Sequence, residues 1–91
     1  MEFGLLWYDS DPQRALEEKI EQAARRYQQK FGRPPNLCYV HPKAVASRPD
    51  PGRAMDCPLE NPKTTIRVIP APNILIHHLW LGEGSAIAGL R

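Results

Sequence analysis

Several features that mark secreted and membrane-spanning proteins are missing from this sequence. Its apolar runs all fall well short of the ~20 residues that span a bilayer. Glu2 stands where a secretory signal carries Lys or Arg, and the short apolar run after it ends at Asp9. There is also no N-x-[ST] glycosylation sequence. From these absences we expect a cytoplasmic protein that makes no contact with a membrane.

Cysteine is scarce as well, and neither sign of charge dominates. The two cysteines, Cys38 and Cys57, are expected to be free thiols in a reducing compartment. Twelve basic and ten acidic residues leave a formal net charge of +2. So small an excess does not by itself indicate a nucleic-acid or anionic-membrane ligand.

Motifs that would identify a particular enzymatic reaction are also absent. The sequence has no glycine-rich phosphate loop, no G-x-S-x-G nucleophile motif and no H-E-x-x-H metal motif. It also lacks the C-x₂-C pair that is typical of structural zinc sites. We therefore predict a non-enzymatic protein that binds no cofactor and no metal.

What the sequence does contain is enough for one small folded domain. Its 91 residues are 42% hydrophobic and 24% charged, which is typical of a globular protein. A chain of this length forms one thin core and buries roughly 60–65% of the surface that its unfolded form exposes. We predict a single compact domain over residues 1–91, with a tail over 82–91 that is flexible or packs on a partner.

One long amphipathic helix is the clearest predicted element. Asp11 before Pro12 fits an N-cap followed by proline at the first helical position. Gly32 then marks the end of a helix of about twenty residues. Acidic residues lie towards the start of this segment and basic residues towards its end, as the helix dipole favours. The apolar stripe at helical spacing consists of Leu16, Ile20, Ala23, Tyr27 and Phe31.

Apolar, aromatic and β-branched residues predict about four strands in addition to this helix. Strands are expected near residues 2–9 and 36–40, and again at 64–69 and 74–81. Residues 42–63 hold five prolines and no sustained period, which indicates a long ordered loop with at most one helical turn. The short turn between the last two strands makes them a C-terminal hairpin. The predicted class is α+β, with the order β-α-β-loop-β-β and a mixed sheet.

The last predicted strand is apolar on both of its faces. Because a single helix covers only one face of a sheet, the loop, the tail or another chain must cover the other face. We predict that this face binds another protein or a second copy of the chain, most simply as a two-fold dimer. The predicted contact residues are Trp80, Leu79 and His78 of the last strand, with Arg48 and Arg53 of the loop.

Nucleic-acid binding is the alternative function. Basic residues cluster at the end of the helix, where they could neutralise phosphates while Tyr8, Tyr39 or Trp80 stack on bases. The same cations also suit a helix C-terminus, and no known nucleic-acid motif is matched. The basic residues in this alternative are Arg25, Arg26, Lys30 and Arg33.

The adjacent histidines His77 and His78 raise the question of a metal site. Neighbouring side chains of a strand point to opposite faces, so we expect that these two cannot reach one ion together. A zinc site would need one of them together with Cys38, His41 and Cys57. The spacing of those residues argues against such a site.

A small Cys/His enzyme is the remaining alternative. Asp56 and Cys57 lie in the predicted loop, where His41 or His77 could activate the thiolate. No local motif supports that geometry, and geometry matters more than residue type for catalysis. We therefore favour a binding protein over an enzyme.

Overall fold

The computed structural model describes residues 4–46, 53–60 and 62–84. These residues form an α+β domain, which confirms the predicted class. Its single α-helix is accompanied by a short 3₁₀ helix and a mixed sheet of five strands, rather than about four. In chain order the elements are β1 (Leu5–Tyr8), α1 (Leu16–Phe31), β2 (Leu37–Val40), the 3₁₀ helix (Pro42–Val45), β3 (Met55–Glu60), β4 (Lys63–Pro70) and β5 (His78–Gly82).

The helix α1 presents the predicted apolar stripe to the sheet. Ile20, Ala23 and Tyr27 are each at most 1% exposed, and Phe31 packs against the edge of the same core. Glutamates occupy the first turn and Lys30 the last, as the helix dipole favours. Within the described ranges, no helix is both long and apolar enough to cross a membrane.

The start of α1 was predicted wrongly, because the helix begins at Leu16 and has 16 residues. The carboxylates before it form local turns instead of capping a helix. Oδ1 of Asp9 accepts the backbone N–H of Asp11 at 2.9 Å, and Oδ1 of Asp11 accepts that of Gln13 at 2.9 Å. Short acidic side chains compete in this way with helical hydrogen bonds, so the chain turns here before the helix begins.

The sheet has the order β1-β5-β2-β4-β3. β5 is antiparallel to both β1 and β2, β2 is parallel to β4, and β4 is antiparallel to β3. The first two strands along the chain are therefore not neighbours, because the last strand lies between them. This mixture of parallel and antiparallel pairs confirms the predicted mixed sheet.

The predicted C-terminal hairpin is wrong, because β2 lies between β4 and β5. The hairpin that does form joins β3 to β4, and β3 falls in the segment predicted to be a loop. Met55, Cys57 and Leu59 of β3 face the core while the residues between them are exposed. Proline and acidic residues at the exposed positions obscured this alternation in the sequence.

The last strand is also shorter than predicted. β5 starts at His78, and the preceding residues form two turns with backbone bonds from Ile74 N–H to Ala71 O and from His78 N–H to Leu75 O. Leu75 is 68% exposed and Ile76 45% exposed, so neither contributes to a buried strand face. Only the second half of the apolar run that begins at residue 74 therefore belongs to the sheet.

One face of the sheet packs on α1, and the other points away from it. The face towards α1 is filled by aliphatic and thiol side chains that form the hydrophobic core. Cross-strand partners share a face, so the alternate residues of each strand point away from α1. The core comprises Ile20, Ala23, Ala24, Tyr27, Cys38, Val40, Val45, Cys57, Leu59, Ile66, Val68, Leu79 and Leu81.

Candidate functional site

The face of the sheet that points away from α1 carries an aromatic and aliphatic surface, which we call the open sheet face. Its members are paired across strands, so the register of β1, β5 and β2 brings them side by side. The rings of Tyr39 and Trp80 lie 6.0 Å apart between centroids, and those of Tyr8 and His78 lie 5.0 Å apart. The open sheet face consists of Leu6, Tyr8, Leu37, Tyr39, His78 and Trp80.

Exposure on the open sheet face rises towards its outer strand. Leu37 on the central strand β2 is 6% exposed, whereas Leu6 and Tyr8 on β1 are 58% and 60% exposed. Trp80 is half-buried between them, and its ring occupies the space in which a side chain at Gly4 would lie. The apolar patch that remains in water is therefore concentrated at the β1 edge of the sheet.

The residues predicted to make contacts are only partly brought together. Trp80 and His78 lie on the open sheet face, whereas Leu79 is 3% exposed and packs in the core on the α1 side. Leu79 is therefore not part of the open sheet face. Arg53 is exposed, but it precedes β3, the edge strand farthest from β1. Arg48 lies outside the described residues.

The residues of the nucleic-acid alternative lie on opposite sides of the sheet. The three aromatic residues proposed to stack on bases are on the open sheet face. Arg25, Arg26 and Lys30 are exposed on α1, which covers the other face. Arg33 donates from Nε to both carboxylate oxygens of Glu83 at 2.7 Å, so its charge is already paired. Bases and phosphates of one short strand would not meet both groups together.

The two thiols belong to the core and not to a reactive site. Cys38 is fully buried and Cys57 is 8% exposed. Burial raises the pKa of the Cys38 thiol, and the neighbouring Cys57 raises it further, so the reactive thiolate is disfavoured. Asp56 points to the other side of β3, where its carboxylate lies 3.4 Å from Nε of Arg67. The proposed Asp-Cys-His arrangement is therefore not assembled.

A cavity of about 280 Å³ opens at the end of the sheet where β1 and β2 finish and where α1 and β5 begin. All three histidines of the chain line it, although they come from two separate segments. Cationic side chains line it as well, and an apolar wall completes it. We call it the histidine cavity. Its polar lining consists of Asp9, Arg14, Lys19, His41, Lys43, His77 and His78.

The expectation that His77 and His78 point away from each other was wrong in its premise. It required both residues to be in an extended strand, and only His78 is. His77 has a φ of 66°, a left-handed conformation that histidine adopts more readily than most residues. In this turn both histidines lie at the lining of one cavity, together with His41.

Hydrogen bonds fix which ring nitrogens of two histidines are free. Nδ1 of His41 accepts the backbone N–H of Lys43 at 3.0 Å, so a neutral His41 carries its proton on Nε2. Nδ1 of His78 lies 2.9 Å from the carbonyl oxygen of Ile76, which can only accept, so a neutral His78 leaves Nε2 as an acceptor. The cavity therefore has one imidazole suited to donate and one suited to accept.

Arg14 forms a fixed part of the cavity wall. Its Nε lies 2.9 Å from Oδ2 of Asp9, and its terminal nitrogen lies 3.4 Å from Oδ2 of Asp11. The Nε is shielded from solvent, but its N–H does not point well enough at Asp9 to make a regular hydrogen bond. The two carboxylates neutralise Arg14, so the cations left for a ligand are Lys19 and Lys43.

The histidine cavity is not arranged as a metal site. Within the part of the chain that the structure describes, no group of three or more His, Cys, Asp or Glu side chains is placed to hold a metal ion. The cavity could not be predicted from the sequence, because its residues lie in three separate segments. The turn-forming stretch before His77 was the one local signal that the strand starts late.

Comparison of this chain with models of protein families, with curated proteins and with solved structures finds no match. A function must therefore be inferred from the open sheet face and the histidine cavity themselves.

Proposed function

We propose that this chain works as a protein-binding module, and that the partner of its open sheet face is a second copy of the chain. The observation that supports this most directly is the exposure of two large side chains on one edge strand. Leu6 and Tyr8 of β1 are 58% and 60% exposed beside the half-buried Trp80. A contiguous apolar patch of this kind marks an interaction surface.

The two edges of the sheet differ in a way that favours β1 as the contact. At the far edge, β3 carries Asp56, Pro58 and Glu60 on its exposed side, and proline and charge both discourage strand addition. The sequence of β1 is LLWY, with neither proline nor charge. Within the described ranges, β1 pairs only with β5, so the hydrogen-bonding groups on its outer side have no strand partner.

The chemistry of the patch suits a copy of itself. No Asp, Glu, Lys or Arg belongs to the open sheet face where β1, β5 and β2 form it. On the same side of the sheet, the charged residues Arg67 and Asp56 lie on β4 and β3 and pair with each other at 3.4 Å. The uncharged patch itself offers nothing to select an acidic or basic partner, and homodimer interfaces are depleted of charged residues. In a two-fold dimer with antiparallel β1 strands, Leu6 and Tyr8 would meet the same residues of the second copy.

The expected dimer is weak. Burying a large apolar side chain completely stabilises an interface by ~1.5–3 kcal/mol, and Leu6 and Tyr8 are each little more than half exposed. The four side chains of the two copies would together contribute about 4–7 kcal/mol, which the loss of rotational and translational freedom largely offsets. Backbone hydrogen bonds along β1 must supply the remainder. We therefore expect dissociation constants of about micromolar or weaker.

Sedimentation equilibrium tests this proposal. The wild-type chain should associate reversibly to a dimer, and Leu6→Glu should weaken the dimer at least ~10-fold because it places a charge in the apolar contact. Leu75→Glu is the matched control, since Leu75 is also an exposed leucine but lies in the turn before β5. Tyr8→Lys provides a second variant at an exposed position, and circular dichroism checks that each variant is folded.

Two results would contradict self-association through this face. One is a wild-type chain that stays monomeric at concentrations of several hundred micromolar. The other is a Leu6→Glu dimer as tight as the wild-type dimer. Salt-sensitive binding of single-stranded RNA, abolished by Tyr39→Ala and Tyr8→Ala, would instead assign the open sheet face to nucleic acid.

A further inference from the structure

We propose that the histidine cavity is a binding site for the phosphate group of a small phosphate monoester. The proposal is independent of dimer formation, because it rests on the cavity at the end of the sheet and not on the open sheet face as a whole. Three separate segments meet there and bring together two lysines, three histidines and an arginine.

The charges around the cavity favour an anion. Lys19 is the fourth residue of α1, and Lys43 comes from the 3₁₀ helix that follows β2. Neither ammonium group has a carboxylate partner among the described residues, whereas Asp9 is occupied by Arg14. Two cations that two different elements bring to one concave site favour a ligand that carries negative charge.

The type of cation favours phosphate over carboxylate. A carboxylate is planar and is bound best by the two-pronged guanidinium of arginine. The guanidinium of Arg14 is already held by Asp9 and Asp11 at 2.9 and 3.4 Å. Lysine binds phosphate as a point charge, and a tetrahedral phosphate can accept from donors on several sides.

The histidines extend this donor set and indicate what else the ligand carries. His41 can donate from Nε2 to a phosphate oxygen, because its Nδ1 is occupied by the Lys43 N–H. A neutral His78 presents an accepting Nε2, because its Nδ1 donates to Ile76 O. An acceptor beside an anion site suits a ligand hydroxyl near the phosphate, as in a phosphorylated polyol or sugar.

The size and the apolar wall of the cavity limit the rest of the ligand. A volume of about 280 Å³ lies just below the ~300–1,000 Å³ of typical small-molecule sites. Leu16, Ile76 and Leu79 line it beside the polar groups, so a short carbon skeleton would find apolar contacts. A monoester with a few carbon atoms fits inside such a volume.

The backbone at the cavity carries strain of the kind that is concentrated at ligand sites. His77 is the one non-glycine residue with a positive φ within residues 4–46, 53–60 and 62–84. Its carbonyl oxygen accepts the N–H of Asp9 at 3.0 Å, which ties the turn before β5 to the end of β1. Such conformations persist where surrounding contacts impose them, and they cluster at binding sites.

Nuclear magnetic resonance titration of the full chain tests the proposal, with inorganic phosphate and glycerol 3-phosphate as probes at constant ionic strength. Both should shift the resonances of His41, His78 and Lys43 in a saturable way, and glycerol 3-phosphate should bind more tightly. Lys43→Gln should weaken binding about tenfold or more, because it removes a charge from the ligand site. Lys63→Gln is the matched control, since Lys63 is an exposed lysine on β4. Lys19→Gln should have the same effect, because it removes the charge that α1 contributes.

Any other outcome would contradict one specific part of the proposal. Shifts that do not saturate, or that Lys63→Gln reduces as much as Lys43→Gln, would show only general attraction of anions to a basic surface. Succinate binding as tightly as phosphate would overturn the choice of phosphate over carboxylate. Inorganic phosphate binding as tightly as glycerol 3-phosphate would overturn the monoester and leave free phosphate as the ligand. Spectra of the variants that keep the wild-type dispersion exclude unfolding as the cause.

Discussion

The side chain of Tyr27 links the end of α1 to the end of β5. Its hydroxyl donates to Oε2 of Glu83 at 2.9 Å, and the same carboxylate accepts from Nε of Arg33. Burial raises the pKa of Tyr27 to about 12, and the hydrogen bond to Glu83 raises it as well. The bond from Arg33 holds the pKa of Glu83 below its usual value, and the bond from Tyr27 acts in the same direction.

This linkage predicts how alkaline pH affects stability. The unfolded chain releases the tyrosine proton near the ordinary pKa of 10.0, whereas the folded chain holds it to about 12. The stabilisation is therefore complete below pH 10 and is lost as the pH rises towards 12. Tyr27→Phe should lower the free energy of unfolding by about 1 kcal/mol at pH 7 and should flatten its decline above pH 10.

Urea denaturation of both chains between pH 7 and 11.5 measures this difference. Comparison with the variant removes the contribution of other groups that titrate in the same range. Tyr39→Phe is the control, because Tyr39 lies on the open sheet face away from Glu83. Equal declines for the wild type and Tyr27→Phe would contradict the assignment.

At the residue scale, the sequence predicted which element a residue belongs to better than it predicted the backbone conformation of single residues. Trp80 was correctly expected in the last strand. The left-handed conformation of His77 could not be predicted, because it depends on a bond between its carbonyl and Asp9, which is about seventy residues away in the chain. That conformation belongs to the turn that contributes His77 to the histidine cavity.

At the scale of elements, the end of α1 gives a second prediction. Gly32 has a φ of 83°, and its N–H donates to Gln28 O at 2.8 Å. A Cβ at this position would have no atom within 4 Å, so the backbone conformation alone sets the cost of a side chain. Gly32→Ala should therefore lower the free energy of unfolding by about 1 kcal/mol.

Chemical denaturation measures that loss, and Gly32→Asn provides the comparison. Asparagine tolerates the left-handed region better than alanine does, so its cost should be smaller. If alanine were tolerated as well as glycine, the positive φ would not be what ends the helix. Far-ultraviolet circular dichroism would show whether the helix had instead been extended past Gly32.

Elements with a local signal were predictable, and those defined by distant pairing were not. The apolar stripe of α1 is a local period of 3.6 residues, and the helix from Leu16 to Phe31 appears where the sequence predicts it. The strand β3 has a local alternation too, but Pro58 in its middle argued for a loop. The insertion of β5 between β1 and β2 leaves no local trace, so proximity along the chain wrongly suggested a hairpin.

For the whole molecule, self-association predicts a melting temperature that depends on protein concentration. Anything that binds only the folded chain raises its apparent stability by mass action, and a second copy is such a ligand. Above the dissociation constant, a tenfold rise in concentration should raise the melting temperature by up to about 5 °C. Scanning calorimetry of the wild type and Leu6→Glu checks this, and the variant should show no such dependence.

The class of the whole molecule was predictable, whereas the position of its sites was not. One amphipathic helix with strands on either side of it in the chain permits little other than an α+β domain. The open sheet face was expected because one helix covers one face. The exposure of Leu6 and Tyr8 could not be expected, because it depends on β1 being an edge strand.

The position of β5 also affects how the chain is made. β1 joins the sheet only through β5 among the described elements, and about seventy residues separate the two strands. At roughly 5–20 residues per second, a ribosome needs several seconds to synthesise that interval. Throughout this time the apolar stretch LLWY has no strand to pair with in its own chain. In a crowded polysome, the β1 strands of neighbouring nascent chains can pair with each other during this interval. The strand proposed to join two finished copies is therefore also a strand at which premature pairing can begin.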